Sequence, residues 1–201
     1  MDRLIAGYRK FRATTWPQER DRYEELASKG QKPETLVVSC SDSRVDPQTI
    51  FSAGPGELFV VRNVAALVPK YEPDAHYHGT SAALEFGVRV LKVRRIVVLG
   101  HARCGGVQAM VEGAPDLAKD FVEPWIGIAK ELLTTKPAPA HCDKLVHFET
   151  ETVRLTLENL LSFPWINDAV KSGTLGLHGF RFDVSTGVLG LLEGEGFVSV
   201  D

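Results

Sequence analysis

The sequence predicts an α/β fold in which a central, mostly parallel β-sheet is flanked by helices. Three observations point there. Residues 36–38, 58–61 and 96–99 form short runs that are apolar throughout, as suits strands buried on both faces of a parallel sheet. A segment of helical spacing at about 80–92 separates the second run from the third, giving a strand–helix–strand rhythm. With 201 residues, 44% hydrophobic and 24% charged, the chain can bury the continuous core of one domain, 1–201, made of an N-terminal helical arm (1–30) and an α/β core (31–201).

Taken in order, Leu4, Ile5, Tyr8 and Phe11 are spaced as one helix face, and residues 17–27 read as a second helix closed by Gly30. The first strand run ends at Cys40, the second near Asn63 and the third at Gly100. Phe121, Trp125, Ile128 and Leu132 then predict an amphipathic helix ended by Pro137 and Pro139. Val153, Leu157, Leu160 and Leu161 repeat that pattern before Pro164. The tail from Thr174 carries strand-like runs around Ser185-Thr186-Gly187, which predicts a closing hairpin at a sheet edge.

Bulk properties exclude several functions. Twenty-three basic and 26 acidic residues leave a formal charge of −3, with no basic run to attract nucleic acid or an anionic membrane. The apolar runs fall far short of the ~20 residues that a membrane helix needs. The start, Met1-Asp2-Arg3-Leu4, shows neither a signal-peptide apolar region nor a cleavage site, so a cytoplasmic location is expected. Three cysteines are an odd number in a chain too long to need disulfides, which leaves metal binding or burial to explain them.

Two motifs follow strand ends, where parallel sheets place their chemistry: Cys40-Ser41-Asp42-Ser43-Arg44, and His101-Ala102-Arg103-Cys104-Gly105-Gly106. Two thiolates and an imidazole suit zinc, and a His with a Cys three residues on reaches one ion from one loop. Cys40 alone would read as a buried small hydrophobe. Both motifs together, carrying charges that a core would reject, read as a site. Three protein ligands leave a fourth position for water, the arrangement of catalytic zinc. Asp42, two residues beyond a ligand, can accept a hydrogen bond from that water, or occupy the fourth position itself; Arg44 can hold its carboxylate ionised. Three residues between Cys40 and Arg44 are too few for a cysteine-phosphatase loop, and 100–106 lacks the Gly-Lys-Ser/Thr ending of a phosphate loop.

The ordered set CSDSR, PGELFVVRN (55–63) and GHARCGG (100–106) resembles the β-class carbonic anhydrases of plant type. ENLLSFPWI and LGLHGFRFDVSTG are similar to that family's C-terminal part. The resemblance implies zinc on Cys40, His101 and Cys104, an Asp42–Arg44 dyad, and attack of zinc-bound hydroxide on CO2 to give bicarbonate and a proton. It implies a substrate pocket shared between two subunits, with Gln31 for a bicarbonate oxygen, Phe59 and Val64 as apolar walls, Phe86 where the plant-type pocket has tyrosine, and Gly105 for close approach. Val37, Arg62 and Phe182 stand where another branch of the family builds an inhibitory bicarbonate pocket, so that pocket is expected to be absent and Arg62 to pair structurally.

The family's N-terminal helices wrap around a partner, and the stripe Leu4, Ile5, Tyr8 and Phe11 fits a homodimer, with tetramers open. His76, His78 and His141 are placed in loops as candidate proton carriers. Rival readings are hydrolysis of CS2 or COS on the same fold, or a non-catalytic zinc or bicarbonate sensor.

Overall fold

The computed structural model describes residues 1–200. Among them a six-stranded sheet runs in the order β2-β1-β3-β4-β5-β6, with β1 at Thr35–Cys40, β2 at Leu58–Asn63, β3 at Arg95–His101, β4 at Gly176–Phe182, β5 at Leu189–Glu193 and β6 at Gly196–Ser199. The first four are parallel and the last two pairings antiparallel. The expected parallel centre and closing hairpin are both present, the hairpin extended by β6.

The all-apolar runs bury both faces. Leu36, Val38, Ile96 and Val98 point to one side and Val37, Val97 and Leu99 to the other, as strand alternation requires. The first side packs beneath α4 (Gly79–Glu85), α8 (Lys144–Leu161) and α9 (Pro164–Lys171). The second lies against Ile50 of α3 (Pro47–Ile50), Phe51 and the β4–β5 hairpin. From β1 the chain goes outward to β2 and returns to β3 on the other flank of β1. The chain therefore leaves the adjacent carboxyl ends of β1 and β3 in opposite directions, a topological switch point where such sheets open a crevice.

Two predicted elements differ in form. The arm is one continuous helical rod: α1 (Asp2–Lys10), a π turn over Phe11–Thr15 and α2 (Trp16–Lys29). Pro17 has no N–H and its ring would strike the carbonyl of residue 13 in a regular helix, and the wider turn, with Trp16 N–H donating to Phe11 O, makes room. Phe11 packs with Trp16 and Tyr23, ring centroids 6.3 and 6.2 Å away, while Leu4 and Tyr8 stay 73% and 61% exposed. Leu26 seats the arm on Gly56, whose φ of +81° and lack of Cβ the contact requires.

The single helix expected around 121–132 is broken into α6 (Val122–Ile126), a 3-10 turn at Gly127–Ala129 and α7 (Leu132–Thr135). Its buried face is Ile126, Ala129 and Leu132, spaced by three, while Phe121 is exposed. The eclipsed i, i+3 pattern is that of 3-10 geometry, and Gly127 weakens a regular helix at the break.

Candidate metal centre

Strand β1 ends at Cys40 and β3 at His101, and Cys104 precedes α5 (Gly105–Glu112). Cys40 Sγ, Cys104 Sγ and a ring nitrogen of His101 all lie within 4.8 Å of one another, and all three residues are buried. The two sulfurs are 3.9 Å apart. His101 Nδ1 is 2.9 Å from Ala102 O, which as an acceptor places the ring proton on Nδ1 and the free lone pair on Nε2. Nε2 is buried and, with Thr152 Oγ1, lacks any hydrogen-bond partner among the described residues. A buried, unpartnered lone pair facing two thiols is costly as it stands and fits a metal ion. Two sulfurs and one imidazole nitrogen are donors suited to zinc, and a set of three protein ligands is that of catalytic rather than structural zinc.

Charge supports the same fit. Cys104's S–H, bonded to Cys40, favours the Cys40 thiolate and lowers that thiol. The thiolate and burial together push the Cys104 thiol far up. Burial works against a charged His101, but the Cys40 thiolate beside it lifts the imidazole above its ordinary value. A dication removes the conflict by stabilising both thiolates at once.

The loop after β1 is built around Asp42. Its Oδ1 accepts from Arg44 N–H at 2.9 Å and from Nε at 2.9 Å, and its Oδ2 from Nη2 at 2.7 Å. Arg44 Nη2 also donates to Arg103 O at 3.0 Å, so the guanidinium links the two metal-site loops; Arg103 adopts the left-handed φ of +55° that presents this carbonyl. Asp42 Oδ2 stands 3.9 Å from His101 Nε2. The Arg44 hydrogen bonds hold the Asp42 carboxyl well below the usual carboxylate range. Because the folded-state value is depressed, the pair's stabilising contribution is present above the unfolded value of about 3.9 and lost as pH falls through the folded one. The carboxylate ¹³C signal of Asp42 is accordingly expected to stay in its ionised position down to pH 4; a titration near pH 5 would overturn this.

Arg62, expected to pair structurally, holds the same loop: Nε donates to Cys40 O at 2.9 Å, and Nη2 to Asp42 O at 2.7 Å and Val45 O at 2.9 Å. Val37 and Phe182 lie in the core on the second face of the sheet. The two glycines after Cys104 differ in their surroundings. A Cβ on Gly106 would stand 2.7 Å from Val64 Cγ1 and 3.2 Å from Ala65 N, whereas one on Gly105 would meet nothing within 4 Å. Gly106 sets the packing, and Gly105 leaves the space beside Cys104 open.

One supporting residue escaped the sequence reading. Glu149 of α8, 3% exposed, accepts Cys104 N–H on Oε1 at 3.2 Å and Arg181 Nε and Nη2 on Oε2 at 3.0 and 2.7 Å. It ties a ligand's backbone to β4 through a buried ion pair. Glu149→Ala strands Arg181 and is expected to cost about 3 kcal/mol in urea unfolding and to weaken zinc about tenfold by competition with a chelator.

A cavity of about 670 Å³ opens beside the cluster, lined by Ser41, Asn63, Val64, His78, Phe121 and Trp125 among others. Val64 thus has one side on the cavity and the other on Gly106. Phe59 and Phe86 stack on each other at 5.8 Å, but Phe59 pairs in register with Leu36, four residues and roughly 13 Å of strand from Cys40. Gln31 precedes β1 and is exposed. Within one chain, then, Val64 and Gly105 lie at the cluster while Gln31, Phe59 and Phe86 lie away from it.

Residues 35–189 match the family model described as carbonic anhydrase. The chain is 31% identical, with a TM-score of 0.90, to the solved β-carbonic anhydrase CcaA, covering 100% of this chain and 92% of that one. The chain belongs to the β-carbonic anhydrases. A tetrameric β-carbonic anhydrase of Sordaria macrospora superposes with a TM-score of 0.82 at 26% identity, covering 96% of each chain. Beta carbonic anhydrase 5, chloroplastic, of Arabidopsis thaliana is 39% identical over 184 residues, or 89% of this chain; the match spans 60% of that relative's length. β-Carbonic anhydrases use zinc, and the Cys40-His101-Cys104 cluster is the group here able to hold it. No helix among the described residues is long and apolar enough to cross a membrane.

Proposed function

We propose that this β-carbonic anhydrase chain catalyses the reversible hydration of CO2 to bicarbonate and a proton. The observation that carries the reading is the unpartnered His101 Nε2, buried between two cysteines and 3.9 Å from a carboxylate already locked by Arg44. Cys40, Cys104 and His101 Nε2 would hold zinc, with the Nδ1 contact to Ala102 O fixing the imidazole tautomer. When bound, zinc acidifies a water in its open position and so supplies a nucleophile near neutral pH.

The chain's own residues do the rest. Asp42, its lone pairs partly committed to Arg44, accepts the hydrogen of the attacking oxygen and aims that oxygen's lone pair at the substrate carbon. Arg44 keeps Asp42 anionic and is itself anchored by donating to the Arg103 carbonyl, so the acceptor is fixed before substrate arrives. Val64 keeps the near wall apolar, which suits uncharged CO2, and the open space at Gly105 lets substrate approach the ligand loop.

Gln31, Phe59 and Phe86 complete the pocket from a second copy in a homodimer. The exposed arm residues Leu4, Ile5 and Tyr8 support this assembly, because an isolated chain would leave that face wet. The double variant Leu4→Asp/Tyr8→Asp is expected to sediment as a monomer where the parent is a dimer. Stopped-flow CO2 hydration between pH 6.5 and 9, with zinc quantified in the same sample, tests the main reading: activity with about one zinc per chain, lost on chelation, supports it. One zinc per chain with no hydration at any pH overturns it.

A further inference from the structure

Hydration of CO2 consumes water and yields bicarbonate and one proton, and that proton must leave the site in every cycle. Asp42 is unsuited to carry it, since both of its carboxylate oxygens already accept hydrogen bonds from Arg44. Arg62 also lines the cavity beside the metal cluster, but a guanidinium does not give up its proton and this one is committed to three backbone carbonyls. Tyr77, another lining residue, is fully exposed, and no hydrogen bond among the described residues orients its phenol. The remaining titratable side chain of the lining is His78, and imidazole is the side chain that exchanges a proton near neutrality.

His78 is held in a built arrangement. Its Nε2 lies 2.6 Å from Asp74 Oδ1, while Asp74 Oδ2 lies 2.9 Å from Nδ1 of His76, whose side chain is 80% exposed. Asp74 Oδ1 also accepts the His76 backbone N–H at 2.9 Å. Ala75, between them, takes the left-handed φ of +64°, a conformation that costs an alanine free energy and brings the two imidazoles onto one carboxylate. His78 also borders a second hollow with Glu72, Asp74, His76, Glu85 and Arg89, of which Arg89 and Glu85 are paired with each other at 2.8 Å. The face that α6 presents to the cavity, Val122 and Trp125, carries no ionisable group. His78 thus lies on the wall shared by the open cavity of about 670 Å³ beside the metal cluster, roomy enough for bridging water at roughly 30 Å³ each, and the hollow around Asp74 and His76.

We propose that His78, oriented by Asp74, is the proton-exit group of this enzyme, with His76 as an outer station on the same carboxylate. The inference rests on the CO2-hydration reading. Water in the cavity passes the product proton to His78 Nδ1; Nε2–H remains donated to Asp74, which balances the new positive charge. The imidazolium then gives the proton to buffer and returns to its neutral form, so no group is consumed.

The test is His78→Ala in the zinc-loaded full chain, with zinc content and circular dichroism matched to the parent. At low buffer concentration kcat is expected to fall about tenfold, while kcat/KM, which reports CO2 conversion rather than proton release, keeps its value. Added imidazole should restore kcat, and Asp74→Asn should show the same split to a smaller degree. A kcat unchanged at low buffer overturns the proposal, as does a joint fall of kcat and kcat/KM that imidazole does not rescue. Failure of the underlying reading is distinct: the unsubstituted chain would then show no hydration at any buffer concentration.

Discussion

Asp42→Asn is expected to retain about one zinc per chain and to lower kcat/KM for CO2 hydration by about 10²–10⁴-fold. Asp42 is not among the three buried donor residues that converge on the metal position, so its charge can be removed without removing a ligand. Its carboxylate, however, is engaged on both oxygens by Arg44, which donates to Oδ1 and to Oδ2. An amide offers only one acceptor oxygen, so its NH2 group must face either the Arg44 guanidinium, donor against donor, or the attacking oxygen whose hydrogen it should accept. Either orientation loses the aim that Asp42 supplies, and the first also loosens the link from Arg44 to Arg103 O. Zinc analysis together with stopped-flow kinetics checks this. Full activity with full zinc would remove Asp42 from the mechanism.

The metal cluster was legible in the sequence because its two motifs break a local rule. Apolar runs buried on both faces end abruptly in Cys40-Ser41-Asp42 and His101-Ala102-Arg103-Cys104, and a polar, ligand-rich segment at a buried strand end needs a reason beyond packing. Glu149 carried a fainter signal of the same kind. It lies on α8 beside Phe148 and one turn before Thr152 and Val153, all buried, so it is a charge on a helix face otherwise turned to the core. Reading α8 by a stripe of Val153, Leu157, Leu160 and Leu161 hid this, for the helix is covered on several sides and Leu161 is 40% exposed. Periodicity assumes one wet face, and α8 does not have a clean one.

Backbone irregularity was less legible still. The π turn in the arm answers a proline's steric demand within an otherwise helical pattern, which the spacing of Leu4, Ile5, Tyr8 and Phe11 does not register. The split of 122–135 depends on which apolar residues the core selects, and the core buries Ile126, Ala129 and Leu132 while Phe121 is left exposed. Such choices are made by tertiary packing, not by propensity. Phe59 and Phe86 illustrate the same point: the resemblance groups them in one pocket, but spacing alone does not place their rings 5.8 Å apart, away from the metal cluster of their own chain.

Removing zinc is expected to abolish activity outright, and the metal-free site should then take zinc back with release of between one and two protons near neutral pH. Without metal the two buried sulfurs, 3.9 Å apart, resist ionising together: the Cys40 thiol is lowered by its contact with Cys104, the Cys104 thiol is raised by that contact and by burial, and the neighbouring thiolate lifts His101. A bound dication requires both sulfurs deprotonated and Nε2 bare, so the Cys104 proton must leave, and so must any proton on Nε2. Because protons compete with the metal, zinc affinity should weaken as pH falls from 8 to 6, by about tenfold per pH unit for each proton displaced. Calorimetry in buffers of different ionisation enthalpy counts the protons, and chelator competition gives the slope. Cys40→Ala removes the group that holds the first charge, so it should lose zinc and activity together rather than bind more weakly. Zinc uptake without proton release, at a pH-independent affinity, would mean that both thiols are already ionised in the empty site and that the conflict between Cys40 and Cys104 is absent.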